Sequence, residues 1–358
     1  MRIKSLSYKS ADWEIDNLQL SEVNLIVGQN AVGKSRTLQA IDLLVKMITQ
    51  EKDLRRNGKW NILLEDNTGK TIKYQLNTKV NQLVVLEEIW LDSELVLSRK
   101  SQDNYSKIKN YLSKENEEYI YPPYYKLVIH ANRDTKKYPF LEHIAQWAEQ
   151  FRRFNFGNIR PKANLFTAPN YGLLTTIEDI LNIFKSLKSS DKEIIIANFN
   201  KLNYSITDIS LKHKNTSPIL FVKEKGISKR IPHPNLSQGM FRALAMTIYL
   251  QYLINRQEPA TIIIDDLCEG LDYERSMKLG KFLFKTALAH NIQLIATSND
   301  NFLMEVASLK YLNVLIREGK KVRGINIHSH PQVFEDFKFT GLSNFDFFSS
   351  SYLNSVQL

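Results

Sequence analysis

Hydrophobic and polar positions alternate in short runs over the first third of the chain and lengthen into helical spacing later, so the order of elements can be read before any single residue's chemistry. From Met1 to Val27 the pattern predicts short strands, and the apolar run in EVNLIV leads straight into a glycine-bearing loop. Between Lys34 and Thr49, residues Leu38, Ile41, Leu44, Val45 and Ile48 recur on one helical face. WNILLE, TIKYQL, LVVLEEIWL and ELVLS follow, separated by turn-like DNTGK, NTKVNQ and DS, and predict an antiparallel meander that forms a smaller β lobe. The polar stretch SRKSQDNYSKIKNYLSKENEEY predicts an exposed excursion, and YKLVIHA a return to a core strand. FLEHIAQWAEQFRRF and TTIEDILNIFKSLKSS carry helical periodicity, and neither keeps heptads long enough for an extended coiled coil. Beyond Ser190 the expected order is a helix, two strands, the turn LSQGM, a long apolar helix, the strand TIIIDD, a helix, the strand IQLIATS and a short helix. Such β/α alternation implies a largely parallel sheet.

Composition narrows the class. With 358 residues, 43% hydrophobic and 24% charged, the chain can bury a large core, and no stretch is apolar enough to cross a bilayer. The N-terminus MRIKSLSYKSADWEID lacks the apolar stretch of a secretory signal, and the lone Cys268 rules out an internal disulfide framework or a cysteine-based zinc cage. A reducing, cytoplasmic setting without membrane contact is expected. The formal charge of +10 favours a polyanion such as nucleic acid, yet the excess is diffuse and a solvated basic surface gives the same count.

GQNAVGKS satisfies the spacing G-x-x-x-x-G-K-[ST] between a predicted strand and a predicted helix, the order that a P-loop requires. Gly28 and Gly33 let the backbone wrap phosphate oxygens, and the N–H groups of Gln29, Asn30, Ala31, Val32, Gly33, Lys34, Ser35 and Arg36 make the expected ATP cradle. Lys34 would bridge the β- and γ-phosphates, and Ser35 would offer its hydroxyl to Mg²⁺. A second element is the apolar strand Ile262, Ile263, Ile264 ending in Asp265 and Asp266, followed by Glu269, Gly270, Leu271 and Asp272. Acids at the carboxyl edge of a parallel sheet fall beside a P-loop, where Asp265 can hold Mg²⁺ through water and Asp266 can orient and deprotonate the attacking water. The plainer reading of these acids is capping of the next helix.

The third element, PNLSQGMFRALAMTIYLQYLI, resembles the ABC-type signature, a Leu-Ser-x-Gly turn opening a long helix about twenty residues before the acidic strand. With the three motifs in order, the chain resembles ABC-type ATPases of the structural-maintenance-of-chromosomes, RecF and OLD-like superfamily, and more closely the small stand-alone ATPases of prokaryotic phage-defence systems. The resemblance implies an α/β P-loop NTPase fold, with a mostly parallel core sheet flanked by helices, an N-terminal antiparallel β lobe and a helical lobe. It divides one domain, 1–358, into a P-loop and β lobe (1–125), a helical lobe with pre-signature strands (126–235) and a signature-to-terminus part (236–358). It also implies that Ser237, Gln238 and Gly239 approach ATP held by a second subunit's P-loop, giving a head-to-tail homodimer able to grow further. Asp272 becomes the D-loop acid that communicates between sites, and Asn299 stands where the family's switch histidine follows its strand.

Two departures set an expectation of slow turnover. The usual catalytic glutamate is Asp266, one methylene shorter, and Asn299 carries no titratable proton. Glu269 is the second candidate for positioning water. The family's glutamine at the end of a middle strand would fall in YKLVIHANRD, leaving His130, Asn132 or Arg133, each of which reads first as structural. Arg242 reads equally as steadying the signature turn, as contacting nucleotide across the dimer, or as a solvated or salt-bridged arginine. His328 and His330 lack the neighbours of a metal site. Phe334, Phe337, Phe339, Phe345, Phe347, Phe348 and Tyr352 suggest core or dimer packing near the end of the chain.

About sixty residues follow Asn299, too few for the TOPRIM nuclease domain that OLD proteins append, and no long coiled-coil arm or membrane-coupling partner is encoded. The expected role is therefore a regulatory ATPase of an anti-phage system whose effector, a nuclease or toxin, is a separate polypeptide. A RecF-like DNA-binding clamp of repair is the alternative, and a soluble transporter subunit comes third.

Overall fold

The computed structural model describes residues 1–49, 57–80, 83–113, 116–156, 177–214 and 217–349, so Tyr352 lies outside the described residues. Strands β1 (Arg2–Lys9), β2 (Glu14–Gln19) and β3 (Val23–Val27) precede helix α1 (Lys34–Thr49). Next come β4 (Gly58–Glu65), β5 (Thr71–Lys79), β6 (Leu83–Leu91), β7 (Glu94–Lys100), β8 (Ser106–Lys109) and β9 (Glu117–Ile120). They are followed by α2 (Val128–Ala131), α3 (Pro139–Glu149), β10 (Phe151–Asn155), α4 (Ile177–Ser186), α5 (Ser189–Lys201), β11 (Ile206–Lys214), β12 (Ser217–Glu224) and β13 (Ile231–Pro232). The last part holds α6 (Gln238–Arg256), β14 (Ala260–Asp265), α7 (Tyr273–Ala289), β15 (Ile292–Thr297), α8 (Asn301–Val306), β16 (Leu312–Glu318), β17 (Lys321–Ile325), α9 (Pro331–Lys338) and α10 (Asn344–Ser349).

One fourteen-stranded sheet runs β10-β14-β15-β3-β16-β17-β2-β1-β4-β5-β6-β7-β8-β9. The block from β10 to β16 is parallel, and from β1 through β9 every neighbour is antiparallel. Burial explains the change. Every residue of β3, β14 and β15 is buried, as in a parallel sheet covered on both faces. In β4 and β5 buried positions alternate with wetter ones, leaving one face in solvent.

The sheet separates two cores. Val23, Leu25, Val27, Ile262 and Ile264 face the side of α4, α5, α6 and α7, whereas Ile26 and Ile263 face α1 and α3, because adjacent strand residues point to opposite faces. Beside the first core, β11, β12 and β13 form a small antiparallel sheet.

Three expectations are corrected. YKLVIHA forms a turn and the single helical turn α2 rather than a core strand; its first N–H, on Val128, donates to the buried carboxylate of Glu87 at 3.0 Å. FRRF does not prolong the helix before it: α3 ends at Glu149, and β10 pairs in parallel with β14. The polar excursion contains β8 and β9, whose buried Ser106, Ile108 and Ile120 extend the sheet, so the β lobe continues the main ladder. The hairpin β16–β17 and helices α9 and α10 are elements that the pattern did not announce. Among the described residues no helix is long and apolar enough to cross a membrane.

Candidate functional site

β3 delivers the chain to Gly28 at the carboxyl edge of the parallel strands, and α1 begins at Lys34. A side chain at Gly28 would stand 2.9 Å from the Leu315 carbonyl of β16 and from Val32. Gly33 has φ +114° and lies over Trp13, so a Cβ there would come within 2.7 Å of the indole nitrogen. Both glycines therefore answer to close approach. Ala31 sits in the left-handed region at φ 65°, and Arg317 of β16 donates to its carbonyl at 3.2 Å and to that of Gly319 at 2.7 Å. Arg36 pairs with Asp12 at 2.7 Å and lies over the Trp13 ring.

Lys34 is 6% exposed, and its ammonium donates to the carbonyls of Gly28 at 2.7 Å and Gln29 at 3.1 Å. Burial lowers its pKa, opposed by the charges of Asp266 and Asp265, which places the lysine and the acids in one electrostatic unit. Gln29, Asn30, Ala31 and Ser35 are exposed around it.

Strand β14 ends at Asp265, 3% exposed, whose Oδ1 accepts from the Thr297 hydroxyl at 2.7 Å. The same hydroxyl oxygen accepts from the Asp266 N–H at 2.9 Å, tying the ends of β14 and β15. Arg153 of β10 donates to Asp42 of α1 at 2.7 Å and reaches within 4.0 Å of Asp265. Asp266 adopts φ 54°, a strained conformation for a side-chain-bearing residue. Burial, then the neighbouring charges of Asp265 and Glu269, raise its pKa against the pull of Lys34. A carboxylate of raised basicity beside a phosphate loop is suited to taking a proton from water.

The signature turn lies across the acids' loop. Ser237 caps α6 by accepting from the Met240 N–H at 3.3 Å, and Ser237 and Gln238 are exposed. A Cβ on Gly239 would meet Leu271 at 2.8 Å and the Gly270 carbonyl at 3.1 Å. Arg242, buried one turn on, donates to the Glu269 carbonyl at 2.6 Å, so it steadies this junction from within the chain. Asp272 caps α7, accepting from Arg275 N–H at 3.0 Å and from its guanidinium at 2.7 Å, which lower its pKa.

A family profile described as "AAA domain, putative AbiEii toxin, Type IV TA system" matches residues 23–305, most of the chain, from β3 and the glycine loop to Asn299. The chain belongs to this family. It is a P-loop ATPase. In fold the ATPase is similar to the SMC head domain from Thermotoga maritima, at 14% identity, TM-score 0.50 and coverage of 91% of this chain and 99% of that one. It is also similar to an Smc head domain with an extended coiled coil bound to the C-terminal domain of ScpA from Pyrococcus furiosus, at 11% identity, TM-score 0.54 and coverage of 94% and 99%. No curated protein matches its sequence.

Within the ATPase, the residues expected from sequence are gathered unevenly. Gly28 to Arg36, Asp265, Asp266 and Asn299 converge where β3, β14 and β15 end side by side, with Asn299 exposed just past β15. Glu269 is exposed on the turn beyond, where Gly239 packs against Gly270 and Leu271; Ser237, Gln238 and Asp272 are exposed beside these residues in the chain. The three candidates for the sensing residue lie elsewhere. The His130 ring bonds with the Ile48 carbonyl, Asn132 closes α2, and Arg133 forms ion pairs with Glu142 and Glu149. The strand that ends beside Asp265 is β10, and Asn155 stands level with that acid in the ladder.

His328 pairs with Ser21 at 2.7 Å and His330 with Ser329 at 2.8 Å. Phe334, Phe337 and Phe347 are buried against one another, whereas Phe339 is exposed. Thr297, Arg153, Trp13 and Arg317 escaped the sequence reading. Only Thr297 carried a signal, as a hydroxyl at the end of the strand IQLIATS.

Proposed function

We propose that the ATPase is a nucleotide-dependent dimeric switch: ATP on one copy's P-loop is closed over by Ser237 and Gly239 of a second copy, and slow hydrolysis reopens the pair. The observation that carries this reading is the separation of a self-supported phosphate loop from an exposed, N-capped helix start, both open to solvent. The positive end of this nineteen-residue helix, exposed at Ser237 and Gln238, is an electrostatic partner for a γ-phosphate.

Ser35 and Asp265 are hard oxygen donors suited to Mg²⁺. Among the described residues no cluster of three or more His, Cys, Asp or Glu could hold a metal alone, so phosphate oxygens would complete the shell. The ion would neutralise phosphate charge. The rest falls to this chain's groups: Lys34 leaves the loop carbonyls for the phosphates, and Asp266 orients water and takes its proton. The short reach of Asp266 and the uncharged amide of Asn299 support slow turnover.

The family description names a putative toxin of a Type IV TA system; in our reading the ATPase serves anti-phage defence and acts through a separate effector such as a nuclease or toxin. The net charge of +10 favours a second reading, a RecF-like DNA clamp. Light scattering with and without ATP tests the switch, and expression with the neighbouring genes tests the effector. A monomer at all ATP concentrations contradicts the switch; salt-sensitive, ATP-dependent duplex binding without an effector replaces defence by the clamp.

A further inference from the structure

Thr297 closes the apolar strand β15 and is fully buried, yet it carries a hydroxyl that packing alone does not require. A buried hydroxyl is costly unless it is bonded. The Asp266 N–H can only donate, so the hydroxyl oxygen accepts from it at 2.9 Å, and the single hydroxyl hydrogen is left for Asp265 Oδ1 at 2.7 Å. One atom thus fixes the side chain of one acid and the backbone of the next.

The backbone that it fixes is a strained one. The ladder between β14 and β15 ends at Ile264 and Ala296, and two residues on Asp266 adopts φ 54°. Three further bonds hold the turn: the Thr297 carbonyl accepts from the Leu267 N–H at 2.8 Å, the Ser298 hydroxyl donates to the Leu267 carbonyl at 2.9 Å, and the Asp266 carbonyl accepts from the Glu269 N–H at 3.1 Å. Those bonds shape the loop beyond the acids, whereas the Thr297 hydroxyl reaches both acids. On the other side Arg153, itself held by Asp42, stands 4.0 Å from Asp265 Oδ2, so the carboxylate is bracketed between β15 and β10.

We propose that Thr297 is a positioning residue for hydrolysis, whose hydroxyl holds Asp265 and Asp266 in one arrangement so that the two carboxylates act on the same phosphate. The inference rests on the roles proposed above for these acids. Capture does not depend on this tie, because the bonds of Lys34 to the loop carbonyls are made without it. A methyl group in place of the hydroxyl frees the Asp265 carboxylate to rotate and removes the acceptor of the Asp266 N–H. A misplacement of about 1 Å at a reacting group is worth about 100-fold in rate.

The test uses the full chain carrying Thr297→Val or Thr297→Ser, with melting curves to verify folding. Affinity for a fluorescent ATP analogue without Mg²⁺ should stay within about twofold of wild type. At saturating Mg²⁺, Thr297→Val should lower kcat by about 100-fold with KM within about threefold, and Thr297→Ser should recover most of the loss. As a readout independent of turnover, the Mg²⁺ concentration that half-saturates the analogue-bound chain should rise about tenfold in Thr297→Val, as expected when a metal-side carboxylate loses its orienting partner. In the Asp266→Asn background, Thr297→Val should cost less than about threefold in kcat, because a residue that acts through Asp266 has nothing left to position. Thr297→Ala, with the same expectations, takes the place of valine if the valine chain does not fold. A folded variant that keeps both kcat and the Mg²⁺ dependence, or one that loses as much kcat in the Asp266→Asn background as in the wild type, overturns the inference and leaves the acids' roles standing. An Asp266→Asn chain with unchanged turnover overturns those roles instead.

Discussion

The two halves of the nucleotide edge are built on opposite principles. At the P-loop half, two charges are buried and answered inside the chain: Lys34 by loop carbonyls and Asp265 by Thr297. At the signature half, Ser237, Gln238, Glu269, Asp272 and Tyr273 are exposed, and their internal bonds fix loop shape while leaving the outer surface open. A buried charge must be satisfied at once because its desolvation is costly. An exposed helix start can wait for a partner. On the proposed reading, nucleotide capture falls to one chain and closure to two.

The largest effect that can break this contrast is at Lys34. Lys34→Ala should abolish measurable ATP binding in a titration with a fluorescent analogue; unchanged affinity would remove the capture half from the account. Ser237→Arg should leave that affinity within about threefold while turnover falls by about 100-fold, as for loss of a positioned electrostatic partner. An equal loss of binding and turnover would place Ser237 in the capture half instead.

Arg317→Ala should raise the KM for ATP by about tenfold with little change in kcat, since it releases a charge-assisted bond to the phosphate loop, and Arg317→Lys should recover part of it. The smallest expected effect is in pH dependence. Asp266 has a raised pKa, so on acidification it takes up its proton at a higher pH than an ordinary aspartate, and only its ionised form can accept a proton from water. Turnover should therefore fall as pH drops through that raised value. The residual activity of Asp266→Asn should lack this acidic limb, and a limb kept in the variant would shift the role to Glu269.

What the sequence disclosed follows the same division. GQNAVGKS, the acids after Ile264 and the turn LSQGM are short contiguous runs, so spacing singled out the first two and resemblance the third. The parallel sheet was legible because β3, β14 and β15 are apolar throughout, as strands covered on both faces must be. Phe151–Asn155 was misread because Phe, Arg and Arg continue the helical pattern of α3, and only pairing with β14 makes the segment a strand. YKLVIHA looked like a strand because its three apolar residues are buried, but they are buried in a helical turn held by Glu87, forty-one positions earlier. Arg317 of β16 and Trp13, just before β2, meet the P-loop from elsewhere in the chain, and nothing near them in sequence marks that contact.

The central claim is that each working site is shared between two chains. Its most direct test mixes Lys34→Ala, which keeps its signature turn, with Ser237→Arg, which keeps its P-loop, and measures ATP hydrolysis against each variant alone. The account predicts that neither variant turns over ATP by itself and that the mixture recovers up to about half of wild-type activity through one composite site per mixed dimer. A mixture of folded variants that remains inactive at every ratio, or a Ser237→Arg chain active on its own, would contradict it.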